Sequence, residues 1–288
     1  CFKKIFSKPK TNVIFFSRNI PACMALSLFG YRSILELHQD NFNRYKIIDY
    51  LLGKLFKISL FKNKIKIVVI SESLKKIICL KFKLKNDIYV SHDASNLPND
   101  DLLKLRKRNR KLIVYTGKLG DDRSVNHILD IAKHDTNSDF RIIGGTLEQV
   151  KKYRNHAKSQ KLNNIKIFKR QRFSRIQFLQ CKADVLLAFW SNNVPTMKYC
   201  SPLKLFEYMQ TGNRILLHDF PVFKEVVPKN ELIELCVPDN LDSEINAYTK
   251  IISKNISKTE RDKLLKHGSI FTYESRVKNI LNFYFNEA

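Results

Sequence analysis

An α/β fold with parallel sheets is what this sequence predicts, on three observations. Short apolar runs alternate with helical patterns along all 288 residues, an order that lays strands parallel and places helices on their faces. Glycine is sparse early, with only Gly30 and Gly53, whereas Gly117, Gly120, Gly144, Gly145 and Gly212 fall where predicted strands or helices end. At such ends the backbone turns tightly or approaches a ligand. Finally, the chain has no uninterrupted apolar run of about 18 residues, so no membrane span is expected.

The elements follow in order. Residues 13–16 read as a strand, Arg18 and Asn19 as a turn, and a helix starts from Pro21. The basic stretch 1–10 followed by apolar 13–29 imitates a signal peptide, but Arg18, Asn19 and Pro21 interrupt it, and secretion is not expected. A chain that opens at Cys1 with a strand already in mid-fold is expected to be a fragment missing its original N-terminus. Further strands are predicted at 33–37, 67–70, 88–90, 112–116, 140–143, 165–168, 184–189, 214–218 and 232–236, most of them separated by helical stretches. The polar, basic stretch 96–111 marks a boundary. It suggests a first domain over 1–105, a second, nucleotide-binding one over 106–270, and a closing helix over 271–288 that packs back toward the first.

Composition narrows the function classes. Six cysteines stand far apart with no Cys-x-x-Cys pair, which favours reduced thiols and a cytoplasmic location over disulfides or a zinc site. The net charge is +25, and up to Lys111 there are 24 Lys and Arg against 8 Asp and Glu. Such a field favours phosphorylated substrates, anionic lipid or nucleic acid, or else simply solvates a lysine-rich surface. Nucleic acid is not expected, because neither interleaved aromatics nor a known reading motif accompanies the charge. In 42–66, Ile47, Ile48, Leu51, Leu52, Leu55 and Phe56 recur at helical spacing among lysines. That stripe suits an anionic membrane surface, or packing onto the chain's own sheet.

The densest information lies in 201–225. Ser201 suits an N-cap, Pro202 the first helical position, and Gly212 the stop, so a helix is expected from Pro202. Its free N–H groups, with Leu203 and Lys204 in the first turn, form an anion site. Glu207 follows three residues later on nearly the same face. A phosphate cradle followed by a carboxylate is the order a nucleoside diphosphate presents. An ordinary capped helix with a solvent-exposed Lys/Glu pair would show the same residues.

These residues, with others in order, resemble family 4 glycosyltransferases of the GT-B fold. The pieces are Glu36-Leu-His38, Ser71-Glu-Ser-Leu-Lys75, Tyr115-Thr-Gly-Lys-Leu-Gly120 with Arg123, Ile142-Ile-Gly-Gly145, Ala183-Asp-Val-Leu-Leu187 and Ser201-Pro-Leu-Lys-Leu-Phe-Glu-Tyr-Met209. The resemblance implies two Rossmann-like domains whose parallel sheets face across a cleft, the first of them incomplete here. It implies retaining transfer from a nucleotide diphosphate sugar to an acceptor, without cofactor or metal. The basic stripe of 42–66 adds to this an expected peripheral attachment on the cytoplasmic membrane face and a saccharide or lipid-linked acceptor. Lys118 and Arg123 are implied as phosphate-binding cations, Gly117 as the point of close backbone approach, His38 as the histidine near the transferred sugar, and Glu207 as the ribose carboxylate. One departure stands out. Eight residues before Glu207 lies Tyr199, where the family pattern has Glu, so Tyr199 or main-chain N–H groups near Ser201 are expected to meet the sugar instead. Glu225, after Pro221, is expected at the start of another helix, as a site residue or as a surface carboxylate. Asp100-Asp101 and Asp121-Asp122 are adjacent pairs, not an Asp-x-Asp metal motif. Two rivals remain: a sugar-nucleotide epimerase on the same fold, and a non-catalytic basic binding protein.

Overall fold

The structure, a computed structural model, describes residues 13–42, 45–60, 65–84, 88–103, 109–120 and 123–286. The basic stretch 1–10, Lys62 and Lys64 among the lysines of 42–66, and Asp121-Asp122 lie outside the described residues. In chain order the elements are β1 (Ile14–Ser17), α1 (Ile20–Leu28), β2 (Arg32–Leu37), α2 (Lys46–Leu60), β3 (Ile65–Val69), α3 (Glu72–Phe82), β4 (Ile88–Val90) and α4 (Asp100–Leu103). Then come β5 (Leu112–Thr116), α5 (Val125–His134), β6 (Asp139–Ile143), α6 (Leu147–Ser159), β7 (Ile165–Phe168), α7 (Phe173–Lys182) and β8 (Val185–Ala188). The chain closes with α8 (Leu203–Met209), β9 (Arg214–His218), β10 (Ile233–Cys236), α9 (Leu241–Ser253), α10 (Lys258–Gly268) and α11 (Tyr273–Asn286). Every predicted strand is present within two residues of its expected bounds, and all pair in parallel.

The chain divides into two compact units. The first runs to Asp93 and takes in Lys198–Ser201 and the segment from Glu274; the second holds Ala94–Met197 and Pro202–Tyr273. The division falls at Asp93, earlier than 105, because Ser95 is already bonded into the second unit: its N–H donates to Phe271 O at 2.9 Å and its hydroxyl to Gln210 Oε1 at 2.9 Å.

The first unit's sheet has the order β1-β2-β3-β4. Strand alternation divides its faces. Leu35, Ile67 and Val69 enter a core with Phe56, Leu74 and Ile78, while Ile34 and Val68 pack under Ile280 and Tyr284 of α11. In the second unit the order is β10-β9-β8-β5-β6-β7. Chain order therefore proceeds outward from β5 to β7 and then restarts at β8 on the other side. The carboxyl ends of β5 and β8 form the topological switch point, where ligands of such sheets bind. All residues of β5, β8 and β9 are buried, as strands covered on both faces require. The described cysteines 23, 79, 181, 200 and 236 are unbridged.

Candidate functional site

Two groups of site residues assemble, one in each unit. In the second unit the switch point carries the loop after β5. Gly117 has φ +148°, and Gly144, after β6, has the same value. A Cβ on Gly144 would stand 1.6 Å from the Gly117 carbonyl oxygen, so the two loops cross at a distance that only glycine permits. A Cβ on Gly117 would lie 3.0 Å from Lys204 Nζ. The predicted loop glycine and the predicted helix lysine therefore touch.

Lys204 lies over two aromatic rings, 3.9 Å from the Tyr115 centroid and 4.6 Å from that of Trp190. Tyr115 and Trp190 are both buried, and they hold the ammonium by cation–π attraction at the ends of β5 and β8. The Tyr115 hydroxyl donates to Lys118 O at 2.8 Å and fixes the loop, while the Lys118 side chain is exposed. Arg123 is half-buried, its N–H donating to Gly120 O at 3.1 Å.

Glu207 is held from behind. Gln180 Nε2 donates to Glu207 Oε2 at 2.8 Å and to Thr116 Oγ1 at 3.1 Å, and Thr116 N–H donates to the Tyr208 hydroxyl at 3.0 Å. Burial pushes the Glu207 carboxyl up, against the opposing pull of Gln180 and Lys204. This is a carboxylate kept where its charge is costly, a signature of sites that have a use for it. Gln180 and Trp190 carried no sequence signal; Tyr115, Thr116 and Tyr208 sat inside the matched motifs without an assigned role.

The helix itself differs from expectation. It begins at Leu203, with Pro202 in the N-cap position at φ −86°, ψ 83° and no side-chain cap. The Ser201 hydroxyl is taken elsewhere: it accepts the Asp93 N–H at 2.7 Å. Seven residues give a short dipole, so attraction for an anion rests mainly on the Lys204 charge. Leu203 is exposed and Pro202 buried. Glu225 ends the 3-10 turn Pro221–Glu225 rather than starting an α-helix.

In the first unit, His38 closes β2. Its Nε2 is 3.1 Å from Glu36 Oε1, and Glu36, 1% exposed, also receives Arg18 Nε at 3.0 Å and Arg276 Nη2. Burial alone would raise the Glu36 carboxyl; His38, Arg276 and Arg18 overcome it and hold the pKa at about 2. Arg276 Nε also donates to His92 O at 2.6 Å. Asp93 completes a group with Glu36 and His38 whose ligand atoms lie within 4.8 Å of one another. Two guanidiniums already neutralise Glu36, which disfavours a metal cation there. Burial raises the Asp93 carboxyl, countered by His38 and Arg276.

Tyr199 does not present its ring to a ligand. It is 5% exposed in the first unit's core, its carbonyl accepts the Ser71 hydroxyl at 2.8 Å, and its own hydroxyl meets Asp40 Oδ1 at 3.2 Å. The expectation that it replaces the missing glutamate is corrected: an apolar core has claimed the ring.

The fold is that of GT-B glycosyltransferases, α/β with two parallel sheets. The lipopolysaccharide outer core galactosyltransferase WaaB superposes with a TM-score of 0.66 at 16% identity, over 96% of this chain and 75% of that one. Anabaena HepE in complex with UDP gives a TM-score of 0.67 at 13% identity over 94% and 78%. S. aureus TarM, in complex with fondaparinux, an α-GlcNAc-glycerol and UDP, gives 0.63 at 14% over 88% and 51%. The chain thus spans about half the length of TarM and three quarters of WaaB. No protein-family model and no curated sequence matches the chain.

Proposed function

We propose that this chain is a retaining glycosyltransferase of the family 4 type, moving a hexosyl group from a nucleotide diphosphate sugar to a saccharide or lipid-linked acceptor in envelope polysaccharide or glycolipid synthesis. One observation carries the reading: at the switch point of the second sheet, Lys204 touches Gly117 while Glu207 is half-buried and held by Gln180. A cation at a glycine crossing suits a diphosphate, and a half-buried carboxylate beyond it suits ribose hydroxyls. The UDP complexes of HepE and TarM support the same ligand class.

In this reading Lys118, Arg123 and Lys204 bind the diphosphate, Gly117 admits it close to the backbone, and the main chain at Ser201, Pro202 and Leu203 borders the sugar. Glu207 takes the ribose, and His38, oriented by Glu36, meets the transferred sugar. The bond from the anomeric carbon to the phosphate oxygen breaks with its electron pair on the diphosphate. The acceptor oxygen bonds the same face of that carbon, and its proton passes to the leaving oxygen. The cations stabilise the developing charge, and the reaction proceeds without a bound metal. Titration with UDP, GDP and ADP tests the site. One of them binds, and Glu207→Ala weakens it by roughly ten- to a hundred-fold, the value of a charge-assisted hydrogen bond. Unchanged binding in the variant rejects the assignment.

A peripheral membrane location is supported by α2. Phe56 is buried, yet Ile47, Tyr50, Leu51 and Leu55 are exposed beside Lys54. The stripe splits, and only part of it packs onto the sheet. The outer part suits an anionic bilayer interface. Sedimentation with phosphatidylglycerol vesicles carries the protein down, and Ile47, Leu51 and Leu55 changed to Ser leave it in solution. Equal sedimentation of the two would reject the location.

A further inference from the structure

The positive charge has a concentration that the donor site does not use. Between Glu148 and Asp184 the sequence has eleven Lys and Arg and no Asp or Glu. These residues span α6, β7 and α7. Where α6 passes β7, a groove of about 380 Å³ opens, with Arg154, Lys158, Lys161 and Lys166 on its walls. A second hollow of about 220 Å³, bordered by Arg110 and Thr136, shares Lys161, Leu162 and Asn163 with it. The two hollows therefore adjoin. The second lies where β5, β6 and β7 start, the opposite end of the sheet from the crossing of Gly117 and Gly144.

Its chemistry selects a ligand. Lys158, Lys161 and Lys166 are exposed, and none is in an ion pair with a described residue. Arg110 is braced by Asp139 at 3.4 Å and by the carbonyls of Thr136 and Asn137, so its position is fixed. β7 is an edge strand, which could accept an added peptide strand. Arg154 closes that route, donating from Nε and Nη2 to Ile167 O at 2.9 and 2.6 Å and so occupying an outward acceptor of the edge. Phe168 is the one aromatic lining residue, too few for the base stacking that single-stranded nucleic acid binding uses. The large apolar residues lining the groove are half-buried or buried, so a bilayer finds no anchor there. A linear chain of anionic sugars fits what remains: two adjoining hollows, free ammonium groups for carboxylates, and the Asn163 amide for hydroxyls.

We propose that the second unit carries a binding groove for a linear anionic polysaccharide along α6 and β7, separate from the nucleotide site. The test uses the full chain and an oligogalacturonate fraction at physiological ionic strength. The wild type binds it and binds neutral dextran far more weakly. Changing Lys158, Lys161 and Lys166 together to Gln weakens oligogalacturonate at least about ten-fold and flattens its salt dependence. A control triple of equal charge loss, Lys224, Lys229 and Lys258 to Gln, changes it by less than about two-fold. Nucleotide titration is the same in all three proteins, whereas Glu207→Ala loses nucleotide and keeps oligogalacturonate, so failure at either site is read separately. Equal weakening by the two triples, absence of binding, or preference for polyglutamate, polyuridylate or phosphatidylglycerol vesicles would overturn the proposal.

Discussion

Glu207 is half-buried and Glu36 fully buried, and their surroundings give the two carboxylates opposite consequences. Glu207 faces one amide and one ammonium, and burial outweighs them, so its carboxyl is held above the ordinary value in the folded chain. A group whose folded pKa is raised stabilises the fold at low pH and costs stability as pH rises through that value. Glu207→Gln removes the cost while keeping a carbonyl for Gln180. The unliganded variant is expected to melt higher than wild type at pH 7 while binding nucleotide more weakly. A lower melting temperature would mean that the carboxylate serves stability rather than ligand. Glu36 has His38, Arg18 and Arg276 against it and titrates at about 2, below its ordinary 4.5. Its contribution, on the order of 3 kcal/mol, is present above pH 4.5 and is lost as pH falls from there toward 2. Hydrogen exchange of the β2 and β3 amides should accelerate in that window for wild type. In Glu36→Gln the same amides should exchange fast already at neutral pH, and matching profiles in the two proteins would contradict the linkage.

At the scale of elements, the two glycines that cross beyond β5 and β6 make different demands. A methyl at Gly144 collides with backbone, which cannot move aside, whereas one at Gly117 meets the end of the flexible Lys204 side chain. Gly144→Ala is therefore expected to cost the second unit roughly 3 kcal/mol or more. Gly117→Ala should cost less in stability and more in nucleotide affinity. Thermal melts paired with nucleotide titration separate the two, and equal losses of stability would refute the difference. Helix α8 shows what local pattern can miss. Its residues form a helix as their composition suggests, but the Ser201 hydroxyl was committed to Asp93, a partner 108 residues away, and so could not cap it.

At the scale of the molecule, the first unit is discontinuous in sequence. Residues from Glu274 belong to it, and α11 covers the Ile34 and Val68 face with Ile280 and Tyr284. Tyr89 stacks on Phe283 with ring centroids 4.8 Å apart. Ending the chain at Tyr273 removes that cover and also leaves Glu36 without Arg276, a buried charge short of a partner. The truncated chain is expected to lose protection in the first unit while the second keeps its own core. Limited proteolysis that cuts within β2 and β3 but spares β5 and β8 would bear this out; a pattern identical to wild type would not.

The sequence by itself determined the ten strands, their parallel pairing and most of the residues that gather at the switch point of the second sheet. Apolar period, glycine position and helix-end chemistry are local properties, and local properties are written in adjacent residues. Only the tertiary structure decided that the strand order reverses between β5 and β8, which brings Trp190 and Gln180 to Lys204 and Glu207. It also decided that Tyr199 packs inward, that Arg276 closes on Glu36 across 240 residues, and that Lys158, Lys161 and Lys166 line one groove. Each of these joins residues far apart in the chain, and which distant groups meet is settled by burial and pairing in the folded state, not by spacing along it.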